Sequence, residues 1–299
     1  DGAKGVESQT KKLFEVCRLR DLPIITFCNK MDRESRDNFE IIDEIQELLT
    51  IDVTPMNWPV GTGKDFLGTY DLINNKINIM NRENRNIKDS NIVINGLSDP
   101  KISKYIPKHV LNVLQQEVAM VQGLLPEFNY EMFISGNLTP LWFGSAINSF
   151  GVKELLNGII QFAPPPQPRL TLTRSIEPSE KPVTGFVFKV QANMDHKHRD
   201  RVAFVRLCSG NFKRGMKLNH TRSNKIMTIS NPVMFMANER ETAEEAIAGD
   251  IIGIPNHGQI RLGDTFTEGE KVQFTGLPIF APEFLRTVRS LDPMKSKHL

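Results

Sequence analysis

Residues 22–32 read Leu-Pro-Ile-Ile-Thr-Phe-Cys-Asn-Lys-Met-Asp, an apolar run that stops abruptly at Asn29-Lys30-Met31-Asp32. Six of the first seven residues are apolar or β-branched, the composition of a strand buried on both faces. In an open α/β sheet, ligands lie beyond the carboxyl ends of the strands, so a polar end of this kind predicts a binding loop. A carboxylate at Asp32 can accept from two neighbouring donors. Guanine offers such a pair in its ring N–H and exocyclic amine, and adenine does not. Asn29 can bond the opposite edge of the base, and the methylene stem of Lys30 can lie along the ring. An ordinary solvated strand end can carry the same four residues, so the flanking sequence decides.

Upstream, Asp1 to Glu7 reads as the turn leaving a strand, and Ser8 to Arg20 places Leu13, Val16, Cys17 and Leu19 near helical spacing. Helix followed by strand is the crossover that builds parallel sheets. Downstream, Asp37 to Leu49 predicts a second helix through Phe39, Ile41, Ile42, Ile45, Leu48 and Leu49. Gly61-Thr62-Gly63-Lys64 invites a P-loop reading, but that pattern requires Gly at 58 and Ser or Thr at 65, where Trp58 and Asp65 stand, and it is rejected. Alternation at Ile77, Ile79, Ile92 and Ile94 predicts a surface hairpin with a polar tip over residues 74–95. A helix is expected over Lys108 to Gln122, ending at Gly123.

Thr139 to Phe143 is a second apolar run, and it breaks into Gly144-Ser145-Ala146. As the neighbouring strand, it would set this turn beside Asn29 to Asp32 and place the Ala146 N–H to donate to the guanine carbonyl. A plain tight turn is the alternative. Gly151 to Phe162 predicts the helix that closes the first domain.

Pro164-Pro165-Pro166 and Pro168 cannot continue that helix, and residues 164–181 read as a stiff linker, with a ligand for an SH3-type partner as the alternative. From Pro182 short alternating runs bounded by turn residues predict a small β-barrel or sandwich to residue 273, and 274–299 reads as the opening of a third domain. Val183 to Lys225 holds ten Lys or Arg against two Asp, a net charge of +8, whereas Ala237 to Asp250 carries −4. A concentrated basic surface is the electrostatic footprint of a nucleic-acid partner. Lys197, Arg199 and Arg201 are the candidate phosphate contacts, a solvated hairpin being the other reading. His196 and His198 lack a third metal ligand.

The 299 residues are 39% hydrophobic and 24% charged with a net charge of +2, the profile of a globular protein long enough for two domains. Cys17, Cys28 and Cys208 are too dispersed for a disulfide framework or a zinc site, and suggest thiols in a reducing cytoplasm. No apolar run approaches the length that crosses a bilayer. Opening on Asp1, before a helix-like segment, the chain reads as a fragment.

These residues resemble one family. DGAKGVESQT at residues 1–10 is similar to the segment after the switch II strand of translational GTPases, and NKMD and GSA are similar to their guanine-reading motifs. The stretches WPVGTGKDFLGTYDL from Trp58, GFVFKVQANMDHKHRDRVAFVRLCSG from Gly185, GDIIGIPNHGQIRLGDTFTEGE from Gly249 and FTGLPIFAPEFLR from Phe274 resemble the bacterial peptide chain release factor 3 family. The resemblance covers nearly the whole chain apart from residues 74–105. It implies an α/β fold, the C-terminal part of a P-loop-type GTPase domain over residues 1–163, followed by domain II over 182–273. It implies a ribosome-associated GTPase that promotes dissociation of class I release factors after peptide release, whichever stop codon was read. Asn29, Lys30, Met31 and Asp32 would hold the guanine of GTP or GDP, with Ser145 and Ala146 closing the pocket. The P-loop and the switch residues that hold magnesium would precede Asp1, leaving no catalytic residue in this chain. An elongation factor G-like translocase and a non-catalytic module docking on ribosomal RNA are the competing readings.

Overall fold

In the computed structural model, which describes residues 1–79, 92–192, 201–236, 239–276 and 286–287, the chain divides into two units, Asp1–Pro164 and Pro165–Leu299. The first unit begins with α1 (Ser8–Arg18), β1 (Thr26–Cys28), α2 (Asn38–Leu49) and β2 (Asp52–Pro55). Next come β3 (Asn57–Val60), β4 (Gly68–Asp71), β5 (Lys76–Ile79) and β6 (Ile92–Ile94). α3 (Ile102–Tyr105), α4 (Lys108–Leu124), α5 (Tyr130–Ile134), β7 (Leu138–Phe143) and α6 (Val152–Phe162) complete it.

β7 lies between β1 and β2 and runs parallel to both, with Cys28 opposite Phe143, so β1 and β7 end side by side. The strand buried along its whole length is β7, and not β1 as its composition suggested. β1 sits at the edge of the sheet, spans three residues, and leaves Ile24 to Phe27 half-buried and Leu22 exposed. α2 starts where the Asp37 carboxylate accepts from the Phe39 and Glu40 N–H groups at 2.9 and 3.3 Å, an N-cap that satisfies two otherwise unpaired donors. Its apolar stripe, Ile41, Ile42, Ile45 and Leu49, is buried in the main core.

β3 to β6 form an antiparallel meander. The hairpin expected at the surface is its second half and turns one face to the core: Ile77 pairs with Ile94, and Ile77, Ile79 and Ile94 are all buried. Alternation puts these isoleucines on one face, and that face joins Trp58, Tyr70 and the α4 residues Val110, Leu114, Val118 and Val121 in one core. The fully buried Trp58 donates its indole N–H to Glu117 at 2.8 Å. Burial raises the Glu117 carboxyl above its ordinary value, and this hydrogen bond offsets part of that rise.

Among the described residues the second unit carries twelve strands. A hairpin of β8 (Arg169–Leu170) and β9 (Ser175–Ile176) precedes β10 (Thr184–Ala192), β11 (Arg201–Ser209), β12 (Asn211–Lys213) and β13 (Lys217–His220). β14 (Lys225–Thr228), β15 (Val233–Met236), β16 (Glu239–Thr242), β17 (Glu245–Ile247), β18 (Ile251–Pro255) and β19 (Thr265–Thr267) follow. Eight of them form a curled antiparallel half-barrel in the order β14-β13-β19-β10-β11-β18-β15-β16, while β12 pairs with β17. Val187, Ala203, Val205, Leu207, Phe212 and Phe266 fill its interior.

Residues 165–181, expected as a stiff linker, carry β8 and β9 and pack into this unit: Thr171 bridges Phe274, and buried Ile176 joins Cys208, Val272 and Phe274 in an outer cluster. Apart from 286–287, the segment read as the opening of a third domain lies outside the described residues beyond residue 276, and so do His196 and His198. Among the described residues no helix is long and apolar enough to cross a membrane. Cys28 and Cys208 are buried, and burial pushes each thiol up to about 11.

A buried polar cluster ties β13 to the segment before β19. Asp264 takes the Arg222 guanidinium at 2.6 and 3.0 Å, the Arg261 N–H at 2.7 Å and His220 Nε2 at 2.8 Å. Burial alone would raise the Asp264 carboxyl, but these donors together hold it below the ordinary carboxylate range. A depressed carboxyl stabilises the fold above its unfolded value, about 3.9, and loses that contribution as pH falls through the folded value. Asp264→Asn is therefore expected to lower the thermal midpoint most at neutral pH, with the gap to wild type closing in acid. A gap that does not change with pH would show that the carboxylate charge contributes nothing.

Candidate functional site

The ends of β1 and β7 are joined by hydrogen bonds between the loops that leave them. The Gly144 N–H donates to the Cys28 carbonyl at 2.9 Å, and the Met31 N–H donates to the Gly144 carbonyl at 3.1 Å. Lys30 adopts φ 71°, a left-handed conformation that non-glycine residues rarely take, and the loop turns on it. Met31 is then fully buried, 3.9 Å from the Cys28 sulfur, while Asn29 and Asp32 are half-buried and Lys30 is exposed. Expected among the ligand-facing residues, Met31 is instead the anchor that holds the loop on the core. The Gly63 N–H braces it from behind, donating to the Met31 carbonyl at 3.1 Å. The glycine-rich turn rejected as a P-loop thus supports this loop.

The side chains of the two loops interlock. Asn29 Oδ1 accepts from the Lys30 N–H at 2.8 Å and from the Ala146 N–H at 2.9 Å. Both partners are N–H donors, so the amide oxygen is fixed on that side and its NH2 group is left for a ligand. The buried Ser145 hydroxyl donates to Asp32 Oδ1 at 2.5 Å and accepts from the Asn148 amide at 2.9 Å. With Oδ1 engaged once by Ser145, Oδ2 and the second lone pair of Oδ1 are left to accept. Ala146, expected to offer its N–H to the base, gives it to Asn29. The result is a donor on Asn29 and a carboxylate acceptor on Asp32, with the Lys30 stem between them and its ammonium paired with the Asp1 carboxylate.

The turn around Ser145 is held tightly. Ser145 and Phe150 exchange backbone hydrogen bonds of 3.0 and 2.9 Å, and a Cβ on Gly144 would lie 2.3 Å from the Phe150 carbonyl oxygen. From the other side, the Gly2 N–H donates to the Asn29 carbonyl at 2.8 Å, and a Cβ there would come within 3.1 Å of the Met31 sulfur.

Asn57 is a supporting residue that sequence reasoning missed. Its buried amide donates to the Phe143 carbonyl at 3.0 Å and accepts the Phe143 N–H at 2.7 Å, clamping the last residue of β7 before the turn. A lone Asn inside the apolar run Met56 to Val60 was the available signal, because buried polar groups are hydrogen-bonded. Elsewhere, Arg201 is exposed at the start of β11, while Lys197 and Arg199 lie outside the described residues. Among the described residues no group of three or more acidic, His or Cys side chains is placed to hold a metal ion. The donor and acceptor set on Asn29 and Asp32 suits a base.

Residues 1–165 match the family model of the elongation factor Tu GTP binding domain, and residues 182–269 match that of elongation factor G domain 2. Among solved structures, the chain is similar to a crystal structure of a protein from Thermus thermophilus, with a TM-score of 0.64 and 21% identity over 92% of this chain and 41% of that one. The chain therefore spans less than half the length of that relative.

Proposed function

Because the chain belongs to the translational GTPases, the family of the elongation factor Tu GTP-binding domain, we propose that Asn29 and Asp32 read the guanine of GTP or GDP, with Ser145 holding the carboxylate in place. The observation that carries this reading is the Asp32 carboxylate, held through one oxygen by Ser145 and beside an Asn29 amide whose oxygen is already engaged. An outward NH2 group and an outward carboxylate complement the acceptor edge and the paired donors of guanine. Lys30 lies along the ring, and Ala146 acts by orienting Asn29. Residues 1–163 are the base-reading part of a GTPase domain, and 182–273 are its β-barrel domain II.

The whole protein is, in this reading, a cytoplasmic GTPase that acts on the ribosome with GTP or GDP and magnesium. Phosphoryl transfer depends almost wholly on positioning and charge around the phosphates and metal, so this chain contributes selection of the base. The sequence stretches from Trp58, Gly185, Gly249 and Phe274 support the bacterial release factor 3 subfamily, whose task is dissociation of class I release factors after peptide release. The basic barrel, with Arg201 exposed, supports docking on ribosomal RNA.

The test is a reconstituted ribosome assay with the natural full-length protein. In the presence of GTP, it should accelerate departure of a labelled class I release factor from ribosomes that have released their peptide, without promoting translocation. Translocation without release factor departure would replace this assignment by an elongation factor G-like one.

A further inference from the structure

The outer face of the half-barrel is closed at one end and open at the other. Along β11, Val202, Phe204, Arg206 and Cys208 share the face opposite the core residues Ala203, Val205 and Leu207. At Cys208 this face is roofed by Ile176, Val272 and Phe274. At Phe204 it is not: Phe188, Phe204 and Phe235 are each only half-buried, and their rings form a contiguous strip, 6.4 Å from Phe188 to Phe204 and 5.3 Å from Phe204 to Phe235.

Three local features build the strip. A bulge in β10 between Val187 and Lys189 adds Phe188 beside Phe204, since Val187 pairs with Val205 and Lys189 with Phe204. The β15–β16 ribbon meets the sheet at Val233 opposite Gly253 and carries Phe235 onto the same face. Gly253, paired with Phe204, has no side chain to obstruct it, and a Cβ there would lie 2.7 Å from Val233 and 3.1 Å from Phe235.

Cations surround the rings. The Lys189 ammonium stands over the Phe204 ring at 5.5 Å, and Arg206 is two residues along the same face. Among the described residues neither takes part in an ion pair. Glu241 pairs with Met234, one residue out of phase with Phe235, and alternation turns it to the other face of the ribbon. Half-exposed aromatic faces flanked by cations that make no ion pair among the described residues are the construction that binds unpaired nucleotides, the rings stacking on bases and the cations meeting phosphates. A docking protein would find complementary apolar surface here but would have to neutralise two cations.

We propose that Phe188, Phe204 and Phe235, with Lys189 and Arg206, form a stacking platform for one or two unpaired bases of RNA. This rests on the reading of the barrel as an RNA-docking domain and adds a preference within it, for single-stranded over duplex RNA. Phe204 is the central ring, and its replacement by leucine keeps apolar bulk while removing the aromatic face.

The experiment titrates the full chain against a short oligoadenylate containing one 2-aminopurine, whose fluorescence is quenched by stacking, and against a duplex RNA of the same length. Wild type should bind the single strand more tightly and quench the reporter. Phe204→Leu should lose roughly five- to hundred-fold in affinity for the single strand and abolish the quenching. Lys189→Gln with Arg206→Gln should weaken both RNAs and flatten the salt dependence. Thermal midpoints of the variants verify folding. If Phe204→Leu binds and quenches as wild type does while the cation variants lose affinity, the platform is overturned and RNA docking through phosphates stands. If wild type binds neither RNA, the platform and RNA docking both fall, and the strip is a protein contact.

Discussion

Asp32→Asn is expected to lower the affinity of the natural full-length protein for GDP roughly hundredfold and to reverse its preference toward XDP. In the proposed complex the two carboxylate oxygens accept from the ring N–H and the exocyclic amine of guanine, Oδ1 through the lone pair that Ser145 leaves. Hydrogen bonds to a charged group contribute about 1.5–3 kcal/mol each, so losing the charge and one acceptor site removes about 3 kcal/mol, near two decades of affinity. Xanthine carries a carbonyl where guanine carries the amine, and the asparagine side chain offers it an NH2 donor together with an oxygen for the ring N–H. Ser145 can serve either residue, because its hydroxyl both donates and accepts, so the loop should keep its shape. Titrations with fluorescent GDP and XDP analogues measure the change. Unaltered GDP affinity would remove Asp32 from the base.

The second large effect is expected away from any ligand. Asn57→Leu replaces a buried amide by an apolar group of similar size and leaves the Phe143 N–H and carbonyl without partners. An unsatisfied buried backbone group costs about 1–3 kcal/mol, so a loss of roughly 2–6 kcal/mol is expected from the pair. The urea midpoint should fall with little change in slope. Because Phe143 immediately precedes the Gly144 to Ala146 turn, GDP affinity should fall as well, even though Asn57 lies behind the site. A stability loss below about 1 kcal/mol would mean that the two backbone groups find other partners.

What could be read from the sequence follows from period and range. α1, α2, α4 and α6 announce themselves by apolar residues at helical spacing. The juxtaposition of Asn29 to Asp32 with the Gly144 to Ala146 turn follows from two apolar runs that each end in polar or small residues. Which run is central does not follow from composition. Leu22 to Cys28 looks as apolar as Leu138 to Phe143, yet only the latter has a strand on both sides.

The meander was obscured by its own chemistry. β3 contains Pro59, which an edge strand tolerates, and Gly61 and Gly63 interrupt the pattern before β4. Asn57 could not be assigned because its partner, Phe143, is far away in sequence. Ala146 was placed correctly beside Asn29, but its N–H is directed by a side-chain oxygen whose position no spacing rule supplies. In the second unit β15 is apolar throughout while β16 and β17 carry the charge, so no strand of the ribbon that places Phe235 shows a clear alternation.

The central claim is that guanine sits between the β1 and β7 loops and is read by Asp32. A crystal structure of the natural full-length protein with GDP tests it most directly. The prediction is that the ring N–H and exocyclic amine of guanine lie within hydrogen-bonding distance of the Asp32 carboxylate, with the Asn29 amide at the opposite edge and the Ser145 hydroxyl still on Asp32. A base bound elsewhere, with the Asn29 to Asp32 loop facing only solvent, would contradict it.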